Sequence, residues 1–478
     1  MTTNFIEANV LELQQAMDSG KLTAKKLTLT FLEQIAKYNQ AGPKLNAVLE
    51  INPEALFIAE LLDIERKTKG SRGPLHGIPI LIKDNIDTGD KMHTTAGSVA
   101  LADHYAKEDA FIVKQLREAG AIILGKTNLT EWANFLTIGM PNGYSSLGGQ
   151  VLNPYGPGEF DVGGSSAGTG SAIAANFAPL GIGTETSGSI LSPASSNSLV
   201  GIKPTVGLIS RTGVIPISSS QDTTGPMTRT VTDAAILLGA LTASDSNDSA
   251  TQTNPNRVTD YTKYLHPEGL EGKRIGVPQN YLEGIPEEEL SLVEQAIEDM
   301  KNLGAIIVRS VELPSQFSNM HVMIHEFKNG INAYLKDVDP TLPVYSLLDV
   351  IQYNQTHASV ALKYGQKIFL EAESKSGRLT ETEYLRARLE DLRLSQQDGI
   401  DKAIAEEQLD ALLFVNNYGA SIAAKAGYPS ITVPAGYTEE GKPVGVTFTG
   451  LAFSEPLLIE LGYAYEQATN HRKTPNLD

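Results

Sequence analysis

Apolar residues along this chain follow two alternating patterns, one with helical spacing and one packed into short runs. Between 23 and 38 they recur every three or four positions, which predicts an amphipathic helix with Thr23 as its N-cap. The run from Ile80 to Ile82 predicts a short buried strand that ends at Lys83. The same patterns predict further helices at 52–70, 109–119, 127–135, 171–176, 232–241 and 286–303, and further strands at 121–125, 180–185, 274–277, 305–308 and 411–415. This alternation is typical of an α/β protein with helices on both faces of a sheet.

Three stretches depart from the alternation. Residues 242–256 are polar and rich in Asn and Pro, which predicts a loop. Residues 330–408 carry many charges in a largely helical pattern, and we interpret them as a helical excursion from the sheet. Residues 431–450 form two β-rich runs around a Glu-Glu-Gly turn. Since no internal repeat is present, we predict a single domain over residues 1–478.

Composition narrows the classes of function. Among 478 residues, 56 are acidic and 38 are basic, which gives a formal net charge of -18. A surface of this charge repels nucleic acid and anionic membranes, so neither is an expected partner. Cysteine is absent, which excludes disulfides, thiolate metal sites and thiol nucleophiles. No apolar run reaches the roughly 18 residues of a membrane helix. The first residues also lack the pattern of a signal peptide, so we expect a cytoplasmic protein.

The candidate chemistry lies in residues 160–190, a segment with seven glycines and no His, Cys or Lys. A phosphate-binding loop needs a Lys after its last glycine, and none follows here. Residues 164–168 match the nucleophile-elbow pattern G-x-S-x-G, but the elbow requires a buried strand before it and a loop-like stretch precedes this one. We interpret that match as coincidence.

Two other kinds of site remain to be weighed. His321 and His325 would share one face of a helix, but two ligands do not make a metal site, and surface or packing histidines are the preferred interpretation. Lys83 ends an apolar strand, and a lysine kept from water can act as a base near neutral pH. Asp84 and Asn85 could orient its surroundings. Taken alone, Lys83 is better interpreted as an ordinary strand-end lysine that pairs with a carboxylate or points to solvent.

Three motifs together carry a family resemblance: GIPILIKDN, GGSSAGTGSAIAA and GIGTETSGSILSPASSNSLVGIKPTVGLIS. With flanking segments such as KTNLTEWA and the β-rich run at 431–450, they resemble the amidase-signature family of hydrolases. The similarity covers most of the chain apart from roughly 242–270 and 330–408. It implies a large mixed twisted sheet covered by helices on both faces, and hydrolysis of carboxamides without a cofactor or a metal.

The resemblance also implies a Ser–cis-Ser–Lys triad. On this sequence the matching positions make Ser189 the nucleophile, Ser165 the bridging serine after a cis bond from Gly164, and Lys83 the base. Such a relay would move a proton from Ser189 through Ser165 to a neutral lysine. The nucleophile is therefore expected in the second glycine motif and not in the elbow-like match.

An oxyanion hole and two supporting side chains complete the implied site. Ser166 and Asp84 are expected to support the triad without making bonds to substrate. The oxyanion hole is expected from the backbone N–H groups of a sharp turn after a strand, namely Thr186, Ser187, Gly188 and Ser189.

Three positions differ from the commonest family pattern. Glu185 stands where Asp is usual, Ser187 where Gly is usual, and Leu191 where Arg is usual. This form resembles the branch that includes peptide amidases, which release ammonia from C-terminal peptide amides. The alternatives are an aryl- or acyl-amide hydrolase and a partner-dependent subunit of the amidotransferase kind. The expected partner is a peptide or small-molecule amide, bound by a monomer or a homodimer.

Substrate specificity is expected in the non-matching region near 320–408 and in the 130s to 140s. One helix could supply the pocket, or the same side chains could be its apolar face: Met320, His321, Ile324, Phe327 and Tyr334.

Overall fold

The centre of the fold is a mixed sheet, seen in a computed structural model that describes residues 5–254, 257–318 and 320–477. Eleven strands of this part of the chain form it, and two more, β4 and β5, pair separately. In chain order the strands are β1 Val48–Ile51, β2 Pro79–Lys83, β3 Ile122–Thr127, β4 Tyr144–Ser145, β5 Gly149–Gln150, β6 Leu180–Glu185, β7 Val200–Lys203, β8 Thr223–Thr228, β9 Arg274–Pro278, β10 Ile306–Val311, β11 Ala411–Val415, β12 Ser430–Tyr437 and β13 Pro443–Thr449.

The strand order is β1-β3-β2-β6-β8-β7-β12-β13-β11-β9-β10. β2 lies parallel to both β3 and β6, and Ile82 of β2 is level with Ile182 of β6. From β6 to β11 the neighbouring strands are antiparallel, and β9 then lies parallel to both β11 and β10. Both parallel strands β2 and β6 end at the same edge of the sheet, so the residues that follow them are brought together there.

Helices pack against the sheet and also extend beyond it. They are α1 Val10–Asp18, α2 Ala24–Tyr38, α3 Ala55–Lys69, α4 Phe111–Glu118, α5 Glu131–Asn134, α6 Ala167–Ala174, α7 Leu191–Ser196, α8 Val231–Leu241, α9 Glu287–Asn302, α10 His321–Tyr334, α11 Leu347–Thr356, α12 Ala358–Ala361, α13 Lys367–Glu373, α14 Thr382–Leu392, α15 Asp401–Glu407, α16 Ala420–Ala426 and α17 Glu455–Thr469. Short 3-10 turns occur at Val99–Leu101, Ser249–Thr253, Tyr261–Tyr264 and Gln279–Tyr281, and a π-type stretch at Arg393–Ile400. The predicted α/β architecture with a large mixed sheet is confirmed.

The predicted helix at 23–38 is confirmed, and the Thr23 side chain accepts the N–H of Lys26 as its cap. The predicted helix at 52–70 begins three residues later than expected, at Ala55. The side chain of Asn52, the first residue of the predicted range, accepts the N–H of Glu54 and donates to the carbonyl of Ile123, both at 2.9 Å. Asn52 therefore joins the helix approach to strand β3 instead of capping the helix.

The prediction of an ordinary helix at 127–135 is wrong. Trp132, Ala133 and Asn134 have positive φ angles of 51°, 53° and 69°, so α5 is a left-handed turn. The Trp132 N–H donates to the carbonyl of Ala96 at 2.9 Å, and its ring packs edge-on against Phe369. These long-range contacts outweigh the local helical preference of the segment.

Between 330 and 408 the described chain is mainly helical, and its helices share an apolar cluster with buried residues from outside that range. Its buried members include Phe327, Ile331, Val350 and Phe369 from helices α10, α11 and α13. The predicted polar loop at 242–256 contains a 3-10 turn at Ser249–Thr253, and its last two residues lie outside the described part of the chain. Within the described residues, no helix combines the length and apolarity needed to cross a membrane. The single-domain assignment stays a prediction.

Candidate active site

Lys83 lies at the end of β2 and is fully buried. Its Nζ atom is 2.8 Å from Ser165 Oγ, 2.8 Å from Thr184 Oγ1 and 3.3 Å from the Thr184 carbonyl oxygen. No carboxylate lies within ion-pair distance of this amine in the described chain, which sets it apart from an ordinary ion-paired lysine. A neutral amine can serve these three contacts with two N–H donors and one lone pair.

The surroundings of Lys83 favour the uncharged amine. Burial lowers the pKa of Lys83 to about 7, while the negative charges of Glu185 and Asp222 act in the opposite direction. The uncharged amine, which can accept a proton, is therefore far more populated near neutral pH than in an exposed lysine. This is the charge state that a general base requires.

Ser165 and Ser166 lie between the sheet and α6, and both are buried. The peptide bond between Gly164 and Ser165 is cis, as the resemblance implies. The Ser166 hydroxyl donates to the Thr184 carbonyl at 3.1 Å and accepts the Thr184 N–H at 3.2 Å. A Cβ atom at Gly183 would lie 2.7 Å from Ser166 Oγ, so a glycine is needed for this close approach. Ser166 thus fixes the strand beside Lys83.

Ser189 lies in the turn between β6 and α7 and keeps 7% of its surface exposed. Its carbonyl accepts the Ser166 N–H at 3.1 Å, which ties this turn to the Ser165 segment. The Ser189 hydroxyl has no hydrogen bond to any other described residue. The structure thus brings Lys83 and Ser165 into direct contact and joins Ser189 to them through the backbone.

Glu185 organises the Ser189 turn from inside the protein. Its carboxylate accepts the N–H groups of Gly188 at 2.7 Å, Ile190 at 2.7 Å and Leu191 at 2.9 Å. Burial raises the pKa of Glu185, and these three N–H donors with the charge of Lys203 act in the opposite direction. A side chain one carbon longer than Asp thus holds three backbone donors at once.

The contacts of Glu185 narrow the expected oxyanion hole. The Gly188 N–H is already donated to Glu185, so it is not free to bind a substrate oxygen. The N–H groups of Ser187 and Ser189 have no acceptor within residues 5–254, 257–318 and 320–477. Gly188 has a φ angle of 85°, which keeps glycine at this position of the turn although Ser187 replaces the usual glycine before it.

Asp84 supports the loop after β2 and does not contact Lys83. Its carboxylate accepts the Thr95 hydroxyl, and also the Thr95 N–H at 3.2 Å. Burial raises the pKa of Asp84 to about 6 against the charge of the buried Lys126. Asn85 reaches the triad side instead, because its side-chain amide donates to Thr184 Oγ1 at 3.1 Å.

Sequence reasoning missed several side chains that shape this site. Thr184 provides two of the three contacts of Lys83. Asp222 accepts the Thr186 hydroxyl at 2.6 Å, and Gln221 donates to the Thr186 carbonyl at 3.2 Å. The available signal was a cluster of polar residues in and before buried strands, since GTE ends β6 and SQD precedes β8.

The side chains suggested for a specificity pocket on α10 have divided roles. Ile324 and Phe327 are buried in the apolar cluster, which supports their interpretation as a helix face. The Tyr334 hydroxyl donates to Asp87 at 2.7 Å, three positions beyond Asp84. His321 lies 3.7 Å from Glu383, and His325 lies 3.8 Å from Glu381. Among the described residues, no group of three or more ligand-type side chains is arranged to hold a metal.

Comparison with known proteins identifies the family. The amidase family model matches residues 26–459. The chain belongs to the amidase family. A probable amidase of Arabidopsis thaliana is 43% identical over 99% of this chain and 92% of its own length.

Two solved structures of amidases superpose on almost the whole chain. The native peptide amidase from Stenotrophomonas maltophilia is 46% identical with a TM-score of 0.94, and the match covers 99% of each chain. An amidase family protein from Bacillus anthracis is 41% identical with a TM-score of 0.95, covering 99% of this chain and 93% of its own. The predicted membership of the amidase-signature family is confirmed, and the protein is an amide-hydrolysing enzyme.

Proposed function

We propose that this amidase cleaves carboxamides through an acyl-enzyme on Ser189, with Ser165 as the proton bridge and Lys83 as the base. The observation that carries the proposal is the 2.8 Å contact between Lys83 Nζ and Ser165 Oγ inside a fully buried setting. A buried amine beside a hydroxyl can exchange a proton with it, whereas an exposed lysine would stay charged at neutral pH. The Ser189 hydroxyl has no hydrogen-bond partner among the described residues, which leaves it available to attack a substrate.

In the proposed reaction, neutral Lys83 takes the proton of Ser165 while Ser165 takes that of Ser189. Ser189 Oγ forms a bond to the amide carbon, and the electron pair of the C=O bond moves to the oxygen. Collapse of this intermediate breaks the C–N bond, and the leaving nitrogen takes the proton returned through Ser165. Water then attacks the acyl ester by the same relay and restores Ser189.

The proposed substrates are C-terminal peptide amides or similar small carboxamides, with ammonia as the first product. The 46% identity to a peptide amidase over 99% of both chains supports this class. Leu191 in place of the usual Arg argues against the amidotransferase alternative, and the aryl- or acyl-amide alternative stays open to test. We propose that the isolated chain, as a monomer or homodimer, is sufficient for activity.

A fluorophosphonate label followed by peptide mapping tests the nucleophile. We expect the label on Ser189 and a loss of about 10⁴-fold or more in kcat for Ser189→Ala. Ser187→Ala is the matched control, since this neighbouring serine is exposed and lies in the same turn. Labelling at Ser166, or full activity in Ser189→Ala, would overturn the assignment.

A panel of amides tests the substrate class. Peptides with a C-terminal amide are compared with simple aliphatic amides and with aryl amides, using the purified chain alone and ammonia release as the readout. The proposal expects the highest kcat/KM for the peptide amides. A preference for aryl amides favours the alternative hydrolase, and activity only after addition of a partner protein favours the amidotransferase alternative.

A further inference from the structure

The Ser189 turn is held so that its peptide groups alternate in direction. Inside the protein, Glu185 accepts the Gly188 N–H at 2.7 Å. One peptide unit later, the Gly188 carbonyl accepts the Ser192 N–H at 2.7 Å. In a trans peptide unit the C=O and the following N–H point in opposite directions. The bond to Ser192 therefore directs the Ser189 N–H away from α7.

Gln221 fixes the direction of the peptide unit between Thr186 and Ser187 in the same way. Its side-chain amide donates to the Thr186 carbonyl at 3.2 Å, and only 2% of its surface is exposed. Because this carbonyl is held on the Gln221 side, the Ser187 N–H points to the opposite side. The N–H groups of Ser187 and Ser189, neither of which has an internal acceptor among the described residues, are thus each aimed by a hydrogen bond to the preceding carbonyl.

The loop that carries Gln221 is itself firmly anchored. Asp222 accepts the N–H groups of Ile217 and Ser218 at 2.8 Å each, and the Thr186 hydroxyl at 2.6 Å. From helix α10, Glu326 accepts the Ser218 hydroxyl at 2.6 Å. The hydrogen bonds to Asp222 and to the buried Glu326 therefore leave Gln221 little freedom to move away from Thr186.

We propose that Gln221 is a positioning residue for amide hydrolysis, which fixes the Thr186–Ser187 peptide unit so that the Ser187 N–H, together with that of Ser189, binds the developing oxyanion. This inference rests on the proposed function, because it assumes that the carbonyl carbon is attacked at Ser189. It assigns a role to a side chain outside the triad, and it selects from the four expected donors two whose direction is fixed by a hydrogen bond to the preceding carbonyl.

The hydrogen bond from Gln221 should affect kcat more than KM. An oxyanion donor stabilises the transition state more than the bound substrate, and removing one such donor costs roughly 10²- to 10³-fold in kcat. If the donor is present but free to rotate, the loss in kcat is smaller than when the donor is removed. Loss of the Gln221 hydrogen bond should therefore lower kcat about 10- to 100-fold. KM should change little, since substrate binding does not depend on that direction.

The test compares Gln221→Met with Gln366→Met. Met keeps the length of the side chain and removes the N–H donor. Gln366 is a suitable control because it is also buried and donates to a backbone carbonyl, that of Ile351 at 3.3 Å, in the helical excursion. Fluorophosphonate titration counts the competent active sites, so kcat is expressed per labelled site. Inhibition by a peptide aldehyde, which forms a tetrahedral adduct, is measured beside inhibition by a substrate-like carboxylic acid.

The expected result is a fall in kcat per labelled site of about 10- to 100-fold for Gln221→Met, with KM within about 3-fold of the parent. Aldehyde affinity should fall in parallel with kcat while affinity for the acid is kept. An unchanged kcat, a loss confined to KM, or an equal loss in Gln366→Met would overturn the inference. Should Gln221→Met fail to fold, Gln221→Leu also removes the donor with a smaller apolar side chain, and full kcat in that variant overturns it as well.

Labelling of the parent enzyme separates this inference from the proposed function. If the parent is labelled at Ser189 and the Gln221 variants keep full kcat, only the role of Gln221 is wrong. If the parent is labelled elsewhere, the proposed function is wrong and the role of Gln221 falls with it.

Discussion

Two buried lysines on the same sheet have similar surroundings and different contacts. Lys83 ends β2 and Lys203 ends β7, and both are fully buried. Burial lowers the pKa of Lys83 to about 7 and that of Lys203 to about 8, and the charge of Glu185 opposes the shift in both. By burial and electrostatics alone, either lysine could be a base.

The contacts separate the two lysines. Lys83 Nζ meets two hydroxyls, those of Ser165 and Thr184, at 2.8 Å each. Lys203 Nζ donates to the Tyr428 carbonyl at 2.5 Å, and a carbonyl has no proton to give up. A lowered pKa thus makes a lysine available as a base, and a neighbouring hydroxyl supplies the proton that the base accepts.

The largest loss of activity is expected when Lys83, the proposed base, is replaced. Lys83→Met should lower kcat by about 10³-fold or more, because the relay loses its proton acceptor. Lys203→Met should keep kcat within about 3-fold, since it removes a structural hydrogen bond and one charge near Glu185 but leaves the three N–H donors of Glu185 in place. Steady-state turnover of both folded variants checks this, with circular dichroism as the control for folding. A comparable loss in Lys203→Met would contradict the distinction.

The charge of Glu185 acts on both lysines, and its carboxylate also holds the Ser189 turn. Replacing Glu185 separates these two effects on activity. Glu185→Gln should lower kcat about 10- to 100-fold, because an amide cannot accept the N–H groups of the turn on both of its arms. Glu455→Gln is the matched control, since the Glu455 carboxylate also acts on Lys203 but accepts the N–H of Thr205 instead. If both variants lose equal activity, long-range charge and not the turn is responsible.

The pH dependence of activity tests the charge state of Lys83 without mutation. Lys83 must be neutral to accept a proton, so activity should be lost as pH falls through about 7. Between pH 8 and pH 6 we expect kcat/KM to fall about 10-fold, as the neutral fraction does. Glu185 and Asp222, the acidic groups that act on Lys83, keep this limb from moving still lower. A flat profile over that range would contradict Lys83 as the base.

The smallest effect concerns the serine next to the bridge. Ser166→Ala removes two hydrogen bonds to the Thr184 backbone and should lower kcat less than about 10-fold. Ser165→Ala, which removes the hydroxyl beside Lys83, is the comparison and should cost far more. The ratio of the two kcat values is the measurement. A larger loss in Ser166→Ala would favour the elbow-like interpretation of residues 164–168.

Prediction from sequence succeeded where the signal is local. The apolar run before Lys83 predicted strand β2, and the spacing after Thr23 predicted α2 with its cap. It failed where distant contacts decide the backbone, as at Trp132, whose left-handed turn is held by Ala96 and Phe369. The helix after Asn52 was expected too early because the side chain found a partner on β3.

The sequence by itself determined the alternation of helices and strands and the residue types that a hydroxyl–lysine relay requires. Only the tertiary structure decided that Lys83 meets Ser165 while Lys203 meets a carbonyl, because strand order sets which chain ends are neighbours. It also decided that the Gly188 N–H donates to Glu185, while the N–H groups of Ser187 and Ser189 have no acceptor among the described residues. Local patterns encode secondary structure, but the direction of each peptide group depends on partners that lie far away in the sequence.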